Sequence, residues 1–364
     1  MWTIIRRTLA AAAAAWPALA LALADGPPMP RDAQGQPPMQ DCRQVTSQTC
    51  RLAQALGRGI NLGGMLEAPR EGDWGVRADP PYLDLAAKHF QHVRVPVRWS
   101  NHAAPTADAT LDEPFARRVD GVVDGLLTRG AYVILNVHHY NQLVGNPVHR
   151  HEFEVDPAVV ETRFLNIWRQ LAHRYKDRPH RLVFELLNEP SGRLDGEPWN
   201  KLAAQALAVV RETNPQRTVM IGPGYWNNVR ELPRLRMPAD RNLIMSFHSY
   251  EPDNFTHQGV TWRPRPMPTG VRCCDDRQLQ AMTRVFDTAI AWNRRNGIPV
   301  HLGEFGAYRA GDMPSRVAWA RHMRQEAERR GIPWAWWELA GDFSGLWSPE
   351  ARGWIEPLRG VLID

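Results

Sequence analysis

The sequence predicts an α/β fold with a single domain, a (β/α)8 or TIM barrel, and three observations carry that prediction. Eight short runs of apolar and β-branched residues alternate with segments that have the apolar spacing of helices. Parallel strands connected through helices close into a barrel when there are eight of them. A chain of 364 residues has the length of such a barrel with insertions. The competing fold, a doubly wound open sheet, is disfavoured because no glycine-rich phosphate loop follows the first strand.

The predicted elements follow one another along the chain as strand, helix, strand. The strands are predicted at residues 58–62, 92–97, 132–137, within 181–190, and at 218–221, 243–247, 298–305 and 334–339. The helices are predicted at residues 82–89, 113–129, 157–174, 199–213, 279–296 and 315–330. A long loop at residues 251–276, rich in proline and arginine, is expected to form one wall of a cleft.

Residues 1–24 have the pattern of a secretory signal peptide. Arg6 and Arg7 precede a run of alanine and leucine, and residues 22–24 (Ala-Leu-Ala) offer a cleavage site. A twin-arginine signal and a membrane anchor are the alternatives. We therefore expect a secreted protein, periplasmic or extracellular, with no membrane contact once the signal is removed.

The four cysteines suit an exported chain, because disulfides persist outside the reducing cytosol. Sequence alone allows three pairings. We favour Cys42 with Cys50, in a flexible leader predicted at residues 25–51, ahead of the barrel domain at residues 52–364. Cys273 and Cys274 then remain for a vicinal bridge. Their adjacency disfavours a structural zinc site, whose cysteines are usually spaced by two to four residues.

Net charge and tryptophan content limit the kinds of partner that the protein is expected to bind. The formal net charge is +5, and removing the two signal-peptide arginines lowers it to +3, too little to indicate nucleic-acid binding. The chain has 15 tryptophans, more than a core of this size requires. Aromatic planes exposed in a cleft are suited to the apolar faces of sugar rings, whereas at least half of the tryptophans are expected to be ordinary core residues.

Polar residues recur where the predicted strands end. They are Arg94, His138, His139, Asn188, Glu189, His248, Tyr250, Glu304, Trp337 and Glu338. In a barrel, the carboxyl ends of all strands converge on one face, where active sites are built. Any one of these residues has an ordinary structural explanation, such as a solvated carboxylate or a satisfied histidine. Their coincidence at six strands indicates a functional site.

These residues also carry a family resemblance. The segments GINLGG, HVRVPVRWS, VILNVHHY, LVFELLNEP, SFHSY, FTHQG, HLGEFGAY and WAWWE resemble glycoside hydrolase family 5, and bacterial endo-β-1,4-glucanases within it. The resemblance extends from Arg58 to about Ala340. It implies a retaining hydrolase that cleaves internal bonds of a β-linked polysaccharide, as a monomer and without metal or cofactor.

The resemblance implies Glu189 as acid/base and Glu304 as nucleophile. A retaining glycosidase needs one protonated and one ionised carboxyl about 5 to 5.5 Å apart. Arg94 is expected to pair with Glu304, and Tyr250 to donate a hydrogen bond to it. Glu189 has no cation in its motif, which favours a tightly held proton. Asn188 is suited to the 2-hydroxyl of the sugar.

Further sugar contacts follow from the same resemblance. It places His138, His139, His248 and Trp337 around the sugar at the cleavage point, with Trp337 as a stacking platform. Glu67, His257 and Trp262 match positions that line the outer cleft. Two features depart from the family pattern: Gly64 stands where a polar, Asn-like residue is expected, and the loop with Cys273 and Cys274 is unusual.

Three other functions remain open. The first is a β-1,4-mannanase, or a mixed glucanase and mannanase, of the same family. The second is a metal-dependent hydrolase in which His138, His139, His248 and Glu304 bind the ion, although the first strand lacks the His-x-His of barrel amidohydrolases. The third is a sugar-binding barrel that has lost catalysis, which is disfavoured because both glutamates are present.

Overall fold

A computed structural model describes residues 46–148, 151–263 and 265–364. Within them, eight parallel strands close into a barrel in chain order, which confirms the predicted fold. The strands are β1 (Arg58–Asn61), β2 (His92–Val95), β3 (Tyr132–Asn136), β4 (Leu182–Glu185), β5 (Val219–Ile221), β6 (Leu243–His248), β7 (Val300–Phe305) and β8 (Trp334–Trp336). Most of them end earlier than predicted, because the residues that follow leave the ladder and turn toward the upper face.

Helices connect the strands and pack around the barrel. The longer ones are α1 (Ser47–Ala55), α2 (Pro80–His89), α3 (Glu113–Thr128), α5 (Val160–Arg174), α6 (Glu197–Arg211), α9 (Asp276–Asn296), α10 (Met313–Glu328) and α11 (Glu356–Leu362). Three short helical segments lie in the loops after β3, β5 and β6: α4 (Asn141–Val144), α7 (Gly224–Asn227) and α8 (Asp253–Thr256). Strands β9 (Trp347–Ser348) and β10 (Gly353–Trp354) form a separate hairpin before α11.

Helix α1 closes the lower end of the barrel. Its apolar residues and the one that follows it pack against inward-facing side chains of β3 to β6, in a cluster of Leu52, Ala53, Leu56, Ile134, Val183, Met220 and Ile244. The side chain of Thr46 accepts a hydrogen bond from the backbone N–H of Thr49 and caps the helix. Residues 47–51, which we assigned to the flexible leader, are therefore helical, and the boundary predicted at residue 52 is wrong.

Above this plug, the interior of the barrel becomes polar. The imidazole of His92, on β2, packs against Gly59 of β1. A Cβ at residue 59 would lie 2.1–2.5 Å from the ring, so only glycine fits there. His92 Nε2 lies 3.0 Å from His301 Nε2 on β7, and His92 Nδ1 donates to the carbonyl oxygen of Leu56 at 2.6 Å. The apolar core therefore lies mainly between the barrel and its helices, and the upper interior is free to hold charged groups.

Buried tryptophans fasten the upper rim. The indole N–H of Trp168 donates to the carbonyl of Leu186, and that of Trp199 to the carbonyl of Gly222. These carbonyls lie just beyond β4 and β5, so the bonds satisfy backbone groups that have left the sheet. Among the described residues, seven tryptophans are at most 2% exposed: Trp99, Trp168, Trp199, Trp292, Trp319, Trp334 and Trp336. They are the core tryptophans that the sequence led us to expect.

The signal peptide predicted at residues 1–24 and Cys42 lie outside the described residues. Cys50 is disulfide-bonded, but its pairing with Cys42 stays a prediction. The structure joins Cys273 to Cys274 by a disulfide just before α9. None of the helices in the described part of the chain has both the length and the apolar composition that crossing a bilayer requires.

Candidate active site

Arg94, at the centre of the upper barrel, organises the site. It has no exposed surface, and its guanidinium donates to four residues on three other strands or their ends. Nε and Nη2 contact the Glu185 carboxylate at 2.6 and 3.2 Å. Nη1 contacts Glu304 Oε1 at 2.6 Å and Asn61 Oδ1 at 2.9 Å. Nη2 also contacts Asn188 Oδ1 at 2.7 Å. One buried cation thus fixes β1, β4 and β7 relative to one another.

Glu304 is held from both sides. Beyond the predicted ion pair with Arg94, the Tyr250 hydroxyl donates to Oε2 at 2.9 Å. Burial raises the pKa of Glu304, while His248, Arg94 and Tyr250 favour its ionised form. Burial also raises the pKa of Tyr250 well above its ordinary value, so the phenol stays protonated and remains a donor. Glu304 is therefore the carboxyl of this site with direct stabilisation of a negative charge.

Glu189 lies in a different environment. Its backbone adopts the left-handed region, with φ of 49°, which turns the side chain out of the strand direction into the cleft. Burial raises its pKa from 4.5 to about 7, although Arg94 and His257 oppose the rise. His248 Nδ1 lies 3.0 Å from Glu189 Oε1. The described residues offer this carboxyl no direct arginine or lysine partner within ion-pair distance, so it can hold a proton near neutral pH.

His248 stands between the two carboxyls. Its Nδ1 is 3.0 Å from Glu189 and 3.6 Å from Glu304 Oε2. One oxygen of each carboxyl and a nitrogen of His248 lie within 4.8 Å of one another. Burial lowers the pKa of His248 to about 4, so the ring is neutral at pH 7. Among the described residues, these three also form the group whose donor atoms could bind a metal ion.

Aromatic rings line the side of the cleft next to β3 and β8. His138 stacks on Trp337, with centroids 5.7 Å apart and planes 12° from parallel. His139 contacts the edge of His138 at 4.3 Å and of Trp74 at 5.9 Å. Trp337 is only partly buried, and Trp74 is 43% exposed. The predicted residues His138, His139 and Trp337 are thus brought together, with Trp74 as an additional exposed ring.

The loop after β6 carries a second aromatic group. His257 lies 5.1 Å from the Tyr250 ring, and its Nδ1 is 3.0 Å from Asp253 Oδ1. Trp262 is 60% exposed, and its ring packs 6.1 Å from Phe343. His257 and Trp262 therefore lie in one aromatic group with Tyr250 and Phe343, and their part in an outer cleft stays a prediction.

Glu67 does not line the outer cleft, and that expectation is wrong. The side chain has no exposed surface, and its carboxylate accepts the backbone N–H groups of Gly64 and Met65. Glu338 follows β8, and its carboxyl packs against the loop after β1, since a Cβ on Gly63 would be 2.4 Å from Glu338 Oε2. Burial raises the pKa of Glu67 to about 7 and, with Glu67 adding to it, that of Glu338 to about 8. The two acids hold the loop after β1 against the loop after β8.

Sequence reasoning missed several residues of the polar interior. Glu185 interrupts the apolar run of the fourth strand and is not among the predicted site residues, yet it ends β4 facing inward and binds Arg94. A carboxylate within a covered strand requires a buried cation, and the arginine within β2 was the available partner. Asn61, Asn136 and Asn227 were also missed. Asn61 and Asn136 each end a strand, a signal that was available, whereas nothing local distinguishes Asn227.

Chemically, the site combines a carboxyl with a pKa of about 7, a second carboxyl bound by an arginine and a tyrosine, and a neutral histidine, with aromatic rings beside them. A protonated Glu189 can donate to a leaving oxygen, and Glu304 can attack an electrophilic carbon. One oxygen of each carboxyl lies within 4.8 Å of an oxygen of the other, which is closer than the roughly 6.5 to 9.5 Å with which inverting glycosidases make room for an attacking water molecule. The shorter spacing is typical of double displacement at a sugar carbon.

Comparisons with known proteins agree with this geometry. The sequence model of the family described as cellulase (glycosyl hydrolase family 5) matches residues 55–342. The chain is 37% identical over 289 residues to Endoglucanase H of Acetivibrio thermocellus, a match that covers 79% of this chain. It spans only 30% of the length of that relative.

Two solved structures share the architecture. A hyperthermophilic endo-β-1,4-glucanase in complex with substrate superposes with a TM-score of 0.81 at 37% identity, covering 87% of this chain and 99% of that chain. Cel5A of Thermotoga maritima in complex with mannotriose superposes with a TM-score of 0.81 at 37% identity, covering 86% of this chain and 99% of that one. The likeness therefore extends over the whole barrel.

Proposed function

The chain belongs to glycoside hydrolase family 5, and we propose that it is a secreted endo-β-1,4-glucanase that cleaves cellulose and related β-glucans with net retention. The observation that carries the proposal is the difference in environment between two neighbouring carboxyls. Glu304 has Arg94 at 2.6 Å and Tyr250 at 2.9 Å, whereas the pKa of Glu189 is raised to about 7. Environments that separate two carboxyls in this way define an acid and a nucleophile.

In the first step, Glu304 attacks the anomeric carbon while the bond from that carbon to the glycosidic oxygen breaks. Glu189 transfers its proton to the departing oxygen. In the second step, Glu189 removes a proton from water, the water oxygen bonds to the anomeric carbon, and Glu304 departs. Two inversions give net retention, and neither step requires a metal or a cofactor.

Asn188 is proposed to bind the 2-hydroxyl of the sugar. Its Oδ1 accepts from Arg94 at 2.7 Å, which orients the amide so that its NH2 group is the end available to substrate. A hydrogen bond to this hydroxyl strengthens as positive charge develops at the anomeric carbon. Trp337, stacked on His138, supplies the apolar face for the same sugar.

The similarity to Endoglucanase H and to the endo-β-1,4-glucanase structure supports glucan as the substrate. A second candidate, β-1,4-mannan, is supported by the mannotriose complex of the Thermotoga maritima relative. Glucose and mannose differ in the orientation of the 2-hydroxyl, so the choice depends on the contacts around Asn188 and on the loops. A monomer and export through the signal at residues 1–24 complete the proposal.

The decisive experiment compares initial rates on carboxymethyl-cellulose, mixed-linkage β-glucan and galactomannan, with Glu304→Gln as the blank. Glucan rates well above mannan rates support the endoglucanase, and dominant mannan rates favour the second candidate. Near-normal turnover by Glu304→Gln would exclude the nucleophile assignment. Proton NMR of the first-formed anomer tests retention, and full activity in the presence of a chelator separates this mechanism from a metal-dependent one.

The acid role has its own test. Glu189→Ala should lose most activity on polysaccharide but keep the first step on an aryl glycoside with a good leaving group, which needs no proton. Equal losses on both substrates would contradict the assignment. Gel filtration of the mature chain tests the monomer, and N-terminal sequencing of the exported protein tests the signal cleavage.

A further inference from the structure

The segment after β5 has an unusual backbone beside the acid/base residue. Tyr225, Trp226 and Asn227 all have left-handed φ angles, of 53°, 58° and 56°. Left-handed backbone is uncommon for residues other than glycine, and three in succession are costly. Such a conformation persists only where the surroundings fix it, and it concentrates at functional sites.

This left-handed turn, residues 225–227, is held by two hydrogen bonds next to Glu189, one to Pro190 and one to His248. The backbone N–H of Trp226 donates to the carbonyl of Pro190 at 3.1 Å, one residue after the acid. The side-chain amide of Asn227, which has no exposed surface, lies with Nδ2 3.3 Å from His248 Nε2. Gly222 makes room for it, because a Cβ there would be 2.5–2.6 Å from the amide group. The turn thus connects the chain next to Glu189 to the ring that contacts Glu189.

The contact decides which nitrogen of His248 carries the proton. The ring is neutral, so one nitrogen donates and the other accepts. The Asn227 amide presents Nδ2 to His248 Nε2 at 3.3 Å, and because an amide nitrogen only donates, Nε2 is the acceptor. The proton of His248 then lies on Nδ1, which faces Glu189 at 3.0 Å and Glu304 at 3.6 Å. The opposite tautomer would aim a lone pair at both carboxyls, including the Glu304 carboxylate of the proposed mechanism.

We propose that Asn227 is a positioning residue for the acid/base step, which holds His248 in the Nδ1–H tautomer so that the ring donates to Glu189 and turns the same N–H toward Glu304. The inference rests on the proposed retaining mechanism and goes beyond it by naming a residue outside the catalytic carboxyls. When Glu189 loses its proton to the leaving oxygen, the Nδ1–H group stabilises the carboxylate that remains. Asn227 acts through His248 and does not touch the reacting atoms.

Several charged or titratable groups face His248 and Glu189 from the surrounding elements. They are Arg94 from β2, His138 after β3, Glu185 from β4, Tyr250 and His257 after β6, and His301 and Glu304 from β7. All of them are unchanged by a substitution at residue 227. A shift in the pH profile of such a variant therefore reports on the Asn227 contact itself.

Two variants of Asn227 separate positioning from folding. Asn227→Gly keeps the left-handed backbone without cost and removes the amide, and we expect kcat/KM to fall about tenfold or more. Asn227→Asp presents only acceptors to Nε2, which favours a second proton on the ring. The imidazolium so formed lies 3.0 Å from Glu189 and lowers the pKa of that carboxyl more than the aspartate behind the ring raises it, so the alkaline limb of kcat/KM should move about one pH unit lower. Tyr225→Gly is the matched control, because it alters the same turn without touching His248, and its alkaline limb should stay in place.

A measurement without substrate keeps the inference independent of activity. In 15N-histidine NMR of the full wild-type chain, identified by comparison with His248→Gln, we expect His248 to show protonated Nδ1 and unprotonated Nε2. Protonated Nε2 would overturn the proposal, as would an Asn227→Asp enzyme with wild-type kcat/KM and an unmoved alkaline limb. Failure of the proposed function would instead appear as a wild-type chain that hydrolyses no β-glycan, whatever the tautomer.

Discussion

Glu338 should make the protein lose stability as pH rises, and replacing it by glutamine should remove that loss. Its carboxyl is buried against Gly63 and Gly341, and its pKa is raised from 4.5 to about 8, first by burial and then by Glu67. Between these two values, the folded protein keeps a proton that the unfolded chain has released. The free energy of unfolding therefore falls as the pH rises from 4.5 to about 8. The full stabilisation by the protonated Glu338 carboxyl is present only below pH 4.5.

The magnitude follows from proton linkage. One proton retained by the folded state alone costs roughly 1.4 kcal/mol for each pH unit. Glutamine resembles the protonated acid in shape, and its Oε1 can accept the Phe343 N–H that Glu338 accepts at 2.9 Å. From pH 5.5 to 7.5, the stability of Glu338→Gln relative to wild type should rise by roughly 2 to 3 kcal/mol. In a chain of this size, each kcal/mol corresponds to roughly 1.5 to 2 °C in Tm.

Equilibrium urea unfolding, followed by tryptophan fluorescence at pH 5.5, 6.5 and 7.5, measures this difference. Glu154→Gln, at an exposed position, is the control for loss of a surface charge and should keep the wild-type pH dependence. If Glu338→Gln and wild type change in parallel over this range, Glu338 is already ionised in the folded state. The account of the two buried acids would then be wrong.

The remaining predictions concern turnover. Glu185→Gln breaks the buried ion pair with Arg94, so it should reduce kcat at least tenfold and lower stability by about 3 kcal/mol; wild-type kcat in a folded variant would show that Arg94 does not need this partner. The kcat/KM of the wild type should fall above pH 7, because Glu189 must be protonated and its pKa is about 7. If the same fall persists in Glu189→Ala with activated aryl glycosides, another group is responsible for it. Trp337→Ala should raise KM for soluble β-glucan more than tenfold through loss of the stacking surface, and an unchanged KM would exclude Trp337 as the platform.

Much of this architecture follows from local sequence patterns. Eight apolar runs in alternation with amphipathic segments are sufficient for a barrel, because strands covered on both faces and helices of period 3.6 are separately recognisable. The polar residues that end the strands were predictable for the same reason: an abrupt change from Leu187 to Asn188 and Glu189 marks the upper face. The pairing of Arg94 with Glu304 also followed, since barrel closure brings strand ends together regardless of their distance in sequence.

Beyond the pair of Arg94 and Glu304, the tertiary structure decided which polar groups meet inside the barrel. Glu67 is not distinguished in sequence from exposed glutamates, yet it is enclosed by its own loop, and Glu185 stands within a covered strand but shares the Arg94 guanidinium with Glu304. The left-handed turn that places Asn227 beside His248 depends on two contacts. Pro190, on the loop after β4, accepts a hydrogen bond from the turn, and Gly222, just after β5, leaves space for the Asn227 amide. Sequence patterns report how much apolar surface each segment must bury. Which buried charge finds which partner depends on register and loop packing, because those interactions join residues far apart in the chain.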